Sequence, residues 1–317
     1  MTSANAKPNV LVLGPKVPDV LDPVNLFANA LPRWEYASLA ECRVAAGGDF
    51  QGIVTLGRIE ISKQMLDELP ALEIIACCSV GYDGVDIEAA TEKSVRVTNT
   101  PDVLTDDVAD LAVGLAIAAR RRIVGADRYV REGRWESEGP MPFTQRIHGK
   151  AVGIAGLGRI GRAVARRLEG FNCDIGYCDV AKLEVSYRYY EDLVSLAKAS
   201  DMLIVTMPGG RATKGVINHE VIEALGVEGC LINVSRGSVV DQHALIRALE
   251  AGQLGTAALD VFAEEPNVPE QLKMLDNVVL QPHHASGTWE TRYAMRDLVV
   301  ENLRRHFEGR PLKTPVN

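Results

Sequence analysis

VGIAGLGRIG occupies residues 152–161, and IGYCD follows at 175–179. An apolar run, glycines spaced G-x-G-x-x-G, a helical pattern and an acid closing the next apolar run define a βαβ unit shaped for a dinucleotide. Gly156 permits the tight turn, Gly158 lets backbone approach a pyrophosphate, and Gly161 brings helix and strand together. The helix N-terminus adds N–H groups and a positive dipole end. Gly156, Leu157, Gly158, Arg159, Ile160 and Gly161 are therefore expected to bind the cofactor, and Asp179 to accept hydrogen bonds from both ribose hydroxyls. The Asp179 charge would repel a 2′-phosphate, which favours NAD. A basic residue swinging in from Lys182 or Arg188 leaves NADP open as the second choice.

Working outward, short apolar runs alternate with helical patterns. Strands are expected at 152–155, 175–178, 202–206, 230–234, 256–259 and 277–281, and upstream at 10–13, 52–55, 73–76 and 95–99. The runs are nearly continuous in apolar residues, as in parallel strands covered on both faces. Helix ends are readable between them. Ile160, Val164 and Leu168 share a face, Asn218 can cap a helix that stops at Gly226, and Asp241 one that stops at Gly252. Residues 102–120 read as a long apolar helix whose end, Arg120-Arg121-Arg122, is taken as a solvated terminus. After Ser286 an amphipathic helix with Met295, Leu298, Val299 and Leu303 on or near one face runs toward Phe307. The pattern is α/β: two Rossmann-like or flavodoxin-like parallel-sheet domains, the dinucleotide domain spanning 102–287 and a smaller one built on 1–101.

The bulk composition narrows the partners. With 317 residues, 47% of them hydrophobic and 24% charged, the chain is ordinary soluble material large enough for two cores. A formal charge of −8 without a basic face argues against nucleic acid or an anionic membrane surface and for a small-molecule ligand. The opening MTSANAKPNV lacks the apolar stretch of a signal peptide, and no run approaches the length of a membrane span, so a cytoplasmic protein is expected. Its six Cys show no CxxC spacing and suit a reducing compartment. The His and Cys spacings form no metal set, so no metal is expected, and no GxSxG elbow suggests acyl transfer.

Ligands of an open parallel sheet bind beyond the carboxyl ends of its strands. There the third cofactor-domain strand is followed by Met207-Pro208, the fourth by Val234-Ser235-Arg236, the fifth by Asp260 and then Glu265, and the sixth by His283-His284 and Ser286. Hydride transfer to a 2-keto acid needs a fixed cation for the carboxylate and a proton for the carbonyl oxygen. Arg236 can bind the carboxylate in a forked geometry, and His283 can donate the proton and recover it in the oxidative direction. Glu265 can hold the other imidazole nitrogen and favour the protonated donor form. Asp260 is placed to hold the nicotinamide carboxamide. Met207, Pro208, Val234, Ser235, Arg236, Asp260, His283 and Ser286 complete the expected cofactor contacts. His284 is the rival to His283 and is read as a packing residue.

The sequence resembles the D-isomer-specific 2-hydroxyacid dehydrogenases, and within them looks most similar to glyoxylate/hydroxypyruvate and hydroxyphenylpyruvate reductases. The matching stretches are Ser79-Val80-Gly81-Tyr82-Asp83, Asn99-Thr100-Pro101, Gly156 to Gly161, Asn233 to Ser238, Leu259-Asp260-Val261-Phe262 with Glu265-Pro266, and Pro282-His283. The resemblance implies Arg236, Glu265 and His283 as the catalytic trio. It implies that the amides of Val80 and Gly81 bind the substrate carboxylate with Arg236 and His283, and that Thr105 and Thr213 lie near the cofactor. It further implies that 288–317 rejoins the 1–101 domain, that a cleft between domains closes over substrate, and that 102–120 helps form a homodimer. The expected reaction is NAD(P)-dependent reduction of glyoxylate, hydroxypyruvate or another small 2-keto acid to the D-2-hydroxy acid. Leu56, Met141, Phe143 and Trp289 are expected to set pocket volume. The alternatives on this fold are formate or phosphonate dehydrogenases and NAD-sensing corepressors. Glu265 stands where formate dehydrogenases carry glutamine, and the disordered extension usual in corepressors is not seen.

Overall fold

The computed structural model describes residues 7–14 and 19–317; residues 1–6, part of the segment read above as lacking a signal peptide, lie outside the described residues. The chain divides into two compact units, one running to Leu104 and rejoined by Gly287–Asn317, the other Thr105–Ser286.

In the first unit a five-stranded parallel sheet has the order β2-β1-β3-β4-β5, with β1 Asn9–Val12, β2 Asn29–Pro32, β3 Gly52–Thr55, β4 Ile74–Cys77 and β5 Arg96–Thr98. This is the flavodoxin-like order. Central strands β3 and β4 are buried at every position, which explains their unbroken apolar sequence. The edge strand β2 was not expected. Its NALP sequence opens exposed, closes on proline and carries no apolar run, as edge strands often do. The closing helix Trp289–Phe307 lays Val299, Val300 and Leu303 against Val10, Val12, Val54 and Ile74 of this sheet.

In the second unit a seven-stranded parallel sheet runs β12-β11-β10-β9-β6-β7-β8. Its strands are β6 Ala151–Ala155, β7 Asp174–Cys178, β8 Arg188–Tyr189, β9 Met202–Val205, β10 Cys230–Asn233, β11 Thr256–Leu259 and β12 Val278–Leu280. Six were expected; the two-residue β8 pairs Gly176 with Arg188 and Tyr177 with Tyr189 and is too short for any periodicity. Strand order reverses between β6 and β9, which makes that crevice the switch point where a dinucleotide binds. Asn218 and Asp241 cap the helices His219–Leu225 and Gln242–Glu250 through the N–H groups of Val221 and Ala244.

Two expectations need correcting. The long helix spans Thr105–Arg120 rather than starting at residue 102, because Asp102 takes a left-handed conformation, φ 70°, that no helix continues through. Its end is also not fully solvated. Arg121 is exposed, but Arg120 is 2% exposed and donates Nη1 to the carbonyls of Asp201 (3.2 Å) and Glu228 (3.1 Å) and Nη2 to that of Arg146 (3.3 Å). The guanidinium fork supplies a donor to the Glu228 and Arg146 carbonyls and a second one to the Asp201 carbonyl, which also accepts the Cys230 N–H at 3.1 Å.

Candidate active site

At the switch point the glycine turn has the shape its spacing implied. Gly156 sits at φ 93°, and a Cβ there would come within 2.8 Å of the Met207 backbone. A Cβ on Gly161 would collide with the Gly156 carbonyl, which also accepts the Thr206 hydroxyl at 2.6 Å. Thr206 is thus a brace for the turn that strand pattern alone did not reveal. Gly158 is the N-cap of the helix Arg159–Glu169, with no side chain to cap it and open space where a Cβ would stand. First-turn amides such as those of Ile160 and Gly161 lack intrahelical acceptors, as at every helix start, and so suit a pyrophosphate. The residues present fit a dinucleotide.

Asp179 closes this end of the site. Its Oδ2 accepts the Leu157 N–H and its Oδ1 the Val180 N–H, both at 2.7 Å, so the carboxylate is oriented before any ligand arrives. Two lone pairs are used and the others stay available to hydroxyl donors. Lys182 and Arg188 are exposed on the segment that follows. Thr213 donates to the Pro208 carbonyl at 2.7 Å and so fixes the loop after β9, where Met207 is half-buried and Pro208 exposed. Thr105 opens its helix half-buried, and Ser286 is half-buried beside buried Ala285.

Beyond β10, β11 and β12 the expected acid, base and cation occupy neighbouring strand ends. Asn233 Oδ1 accepts both the N–H and the hydroxyl of Ser235, its amide donates to the Arg236 carbonyl, and Arg236 Nη1 donates to the Ser235 carbonyl at 2.8 Å. Val234 and Ser235 are buried and Arg236 is half-buried. His283 Nδ1 lies 2.7 Å from Glu265 Oε2, and Glu265 Oε1 accepts the Phe262 N–H at 3.2 Å. His283 has φ 55°, a conformation that needs external support in a non-glycine residue.

Asp260 supplies that support. Its carbonyl accepts the His283 N–H at 2.8 Å, and its carboxylate accepts the N–H groups of His284 (2.6 Å) and Ala285 (3.0 Å). Read beforehand as a carboxamide partner, Asp260 spends a lone pair of each carboxylate oxygen on this turn. It is wholly buried, and burial raises its pKa against the lowering effect of the two amides. His284 is exposed and joins the turn through its backbone.

In the first unit, the turn after β4 is a cradle of aimed amides. The Ser79 carbonyl accepts the Thr100 N–H (2.9 Å), the Val80 carbonyl the Asn99 side-chain amide (2.8 Å), and the Gly81 carbonyl the Ser79 hydroxyl (2.7 Å). Across a trans peptide the N–H points opposite to the carbonyl. Tying back three carbonyls therefore turns the N–H groups of Val80, Gly81 and Tyr82 outward, and none of the three has a partner among the described residues. Such successive amides make an anion-binding concavity. Gly57 packs against the Gly81 carbonyl so closely that any Cβ would collide with it. The roles of Ser79 and Asn99 were not foreseen, although both lie in stretches quoted above. Burial pushes the Cys77 thiol up to about 12 and that of Cys78 up to about 11, so neither is a thiolate near neutrality.

A dinucleotide turn at a topological switch point, with a carboxylate-oriented histidine and an arginine at neighbouring strand ends, defines a nicotinamide-dependent oxidoreductase. Residues 113–285 match the family model for the D-isomer specific 2-hydroxyacid dehydrogenase NAD binding domain. Glyoxylate/hydroxypyruvate reductase A of Arabidopsis thaliana is 53% identical over 254 residues, covering 80% of this chain and 81% of that one. Hydroxyphenylpyruvate reductase of Plectranthus scutellarioides is 55% identical over the same length and shares. The structure of an NADPH-dependent glyoxylate/hydroxypyruvate reductase from Sinorhizobium meliloti, in complex with NADP and malonate, aligns with TM-score 0.91 and 42% identity over 98% of this chain and 97% of that one. The chain belongs to the D-isomer specific 2-hydroxyacid dehydrogenase family. It is an NAD(P)-linked reductase of 2-keto acids.

Proposed function

We propose that the enzyme reduces glyoxylate to glycolate, or hydroxypyruvate to the D-2-hydroxy acid, with NAD preferred over NADP. The observation that carries the chemistry is the His283–Glu265 pair at 2.7 Å, seated in a turn that Asp260 holds by three amides. With Nδ1 engaged by Glu265, the His283 Nε2–H is the proton donor to the carbonyl oxygen. Bound NADH supplies the hydride. Glu265 stays a carboxylate and stabilises the imidazolium until the proton leaves, and His283 is then neutral, ready to take the proton back in the reverse direction. Arg236 binds the substrate carboxylate by its guanidinium, and the outward amides of Val80 and Gly81 are suited to the same group. The glycine turn, Thr105, Thr213 and the strand-end residues named above hold the dinucleotide.

The preference for NAD rests on Asp179, whose charge sits at the ribose end of the turn. The preference for a small keto acid follows the reductase relatives. Initial rates of NADH and NADPH oxidation with glyoxylate, hydroxypyruvate, pyruvate and hydroxyphenylpyruvate test both. The expected result is highest kcat/KM with NADH and one of the two smallest hydroxylated or aldehydic acids. No turnover with any of them would replace the enzyme reading by that of an NAD-sensing binding protein.

The exposed apolar side chains of Ile123, Val124, Val130 and Trp135 support a homodimer in which a second copy covers them. Light scattering should give twice the chain mass, and a monomer would exclude this. Six free cysteines suit a reducing cytoplasm, which is where we place the enzyme.

A further inference from the structure

Strands β7 and β8 are parallel neighbours, yet only residues 179–187 join them. Parallel strands ordinarily need a crossover of about a dozen residues or more, usually helical. This crossing has no helix and is largely exposed, so its path must be held by specific contacts. At its start Asp179 is tied to Leu157 and Val180; at its end Arg188 and Tyr189 enter the sheet.

Its middle is held from below. Tyr177 is 0% exposed, and its hydroxyl accepts the Leu183 N–H at 2.7 Å and donates to the Leu183 carbonyl at 3.3 Å. The same carbonyl accepts the Val185 N–H, and the Tyr177 ring lies against that of Tyr189 with centroids 5.4 Å apart. A buried phenol thus meets its own hydrogen-bonding needs on one residue of the loop and pins that loop to the sheet.

The segment after the second strand of a dinucleotide fold is where a 2′-phosphate is accepted or refused, and a basic residue there is what accepts it. Lys182 is such a residue, next to the pinned Leu183. We propose that the Tyr177 hydroxyl is a positioning and specificity-determining group: by fixing Leu183 it keeps the crossing, and Lys182 with it, from re-forming around a 2′-phosphate. The inference rests on the NAD preference proposed above. Asp179 supplies the repulsion, and Tyr177 denies the loop the movement that would offset it.

Tyr177→Phe keeps the ring and removes the pin. The expected result is a ratio of KM for NADPH to KM for NADH at least about fivefold lower than in the wild type, since the hydroxyl's two hydrogen bonds to Leu183 are lost and one alone is worth about that factor. The KM for the keto acid should not move. Adding Lys182→Ala should restore the wild-type ratio, which a general loosening would not do. An unchanged ratio in Tyr177→Phe overturns the pin while leaving the NAD reading intact, whereas a wild-type preference for NADPH overturns both. Should Tyr177→Phe fail to fold, hydrogen exchange of the wild-type enzyme decides. The Leu183 amide should be protected without cofactor, and exchange as fast as its exposed neighbours overturns the proposal.

Discussion

His283 reaches Glu265 through Nδ1, 2.7 Å from Oε2, while its backbone is held at φ 55° by Asp260. Side chain and main chain are thus fixed by two different acids, so the two can be tested apart. His283→Ala should lower kcat by about 10²- to 10⁴-fold, the usual worth of a positioned acid–base group, with little change in melting temperature. His284→Ala removes an exposed ring and should keep turnover near normal, since His284 meets Asp260 by its backbone. Steady-state NADH oxidation measures both, and a reversal of the two outcomes would transfer the proton-donor role to His284.

Asn99 offers a cleaner separation of binding from chemistry. Its side chain fixes the Val80 carbonyl, while its tie to Thr314 runs through its backbone and survives substitution. Asn99→Ala frees the peptide that aims the Gly81 N–H. KM for the keto acid should rise about tenfold, equivalent to about 1.4 kcal/mol, with kcat and the KM for NADH little changed. Titration of an unreactive carboxylate into the enzyme–NADH complex should show the same weakening. Equal affinity in variant and wild type would remove the cradle from substrate binding.

These two sites differ in how they could be read. The glycine turn, Asp179, Arg236, Glu265 and His283 follow apolar runs, so their places at strand ends could be inferred from one-dimensional pattern. Asn99 acts on Val80, Thr206 on Gly156 and Tyr177 on Leu183, each through a contact between a side chain and a backbone group that no periodicity encodes. Such contacts appear only once the chain is folded. Strands β2 and β8 escaped for a related reason: at a sheet edge pairing with one neighbour suffices, and the sequence need not be apolar on both faces.

Arg120 was misread because a charged triplet ending a helix is ordinarily solvated, whereas here its first member serves three carbonyls. Arg120→Met retains much of the stem packing and takes the donor from the Glu228 and Arg146 carbonyls, while the Asp201 carbonyl keeps the Cys230 N–H. Removal should destabilise the second unit by about 3 kcal/mol, which at this size lowers the melting temperature by about 6–12 °C. Scanning calorimetry would show it, and a variant melting with the wild type would mean the carbonyls find other donors at no cost. Arg121→Met, which alters an exposed group, is the control and should shift melting little.

Asp201 ties the same edge together by charge. Its Oδ1 accepts Lys150 Nζ at 2.8 Å, its Oδ2 accepts the Ala151 N–H at 2.9 Å, and its carbonyl receives Arg120. Burial alone would raise its pKa, but the Lys150 and Ala151 hydrogen bonds outweigh it and hold the carboxyl below its ordinary value. A carboxylate whose folded pKa is depressed stabilises the fold above the unfolded pKa of about 3.9, and loses that contribution as pH falls through the lower folded value. Asp201→Asn should therefore melt about 2–4 °C below the wild type at neutral pH, the equivalent of about 1 kcal/mol after allowance for its partial exposure. The gap should begin to narrow as pH falls below about 3.9 and close only once pH passes below the depressed folded value, where the wild-type carboxylate is itself protonated. Melting curves at a series of pH values measure this, and a gap of constant size down to the acid limit would show that hydrogen-bond geometry, not charge, is what Asp201 contributes.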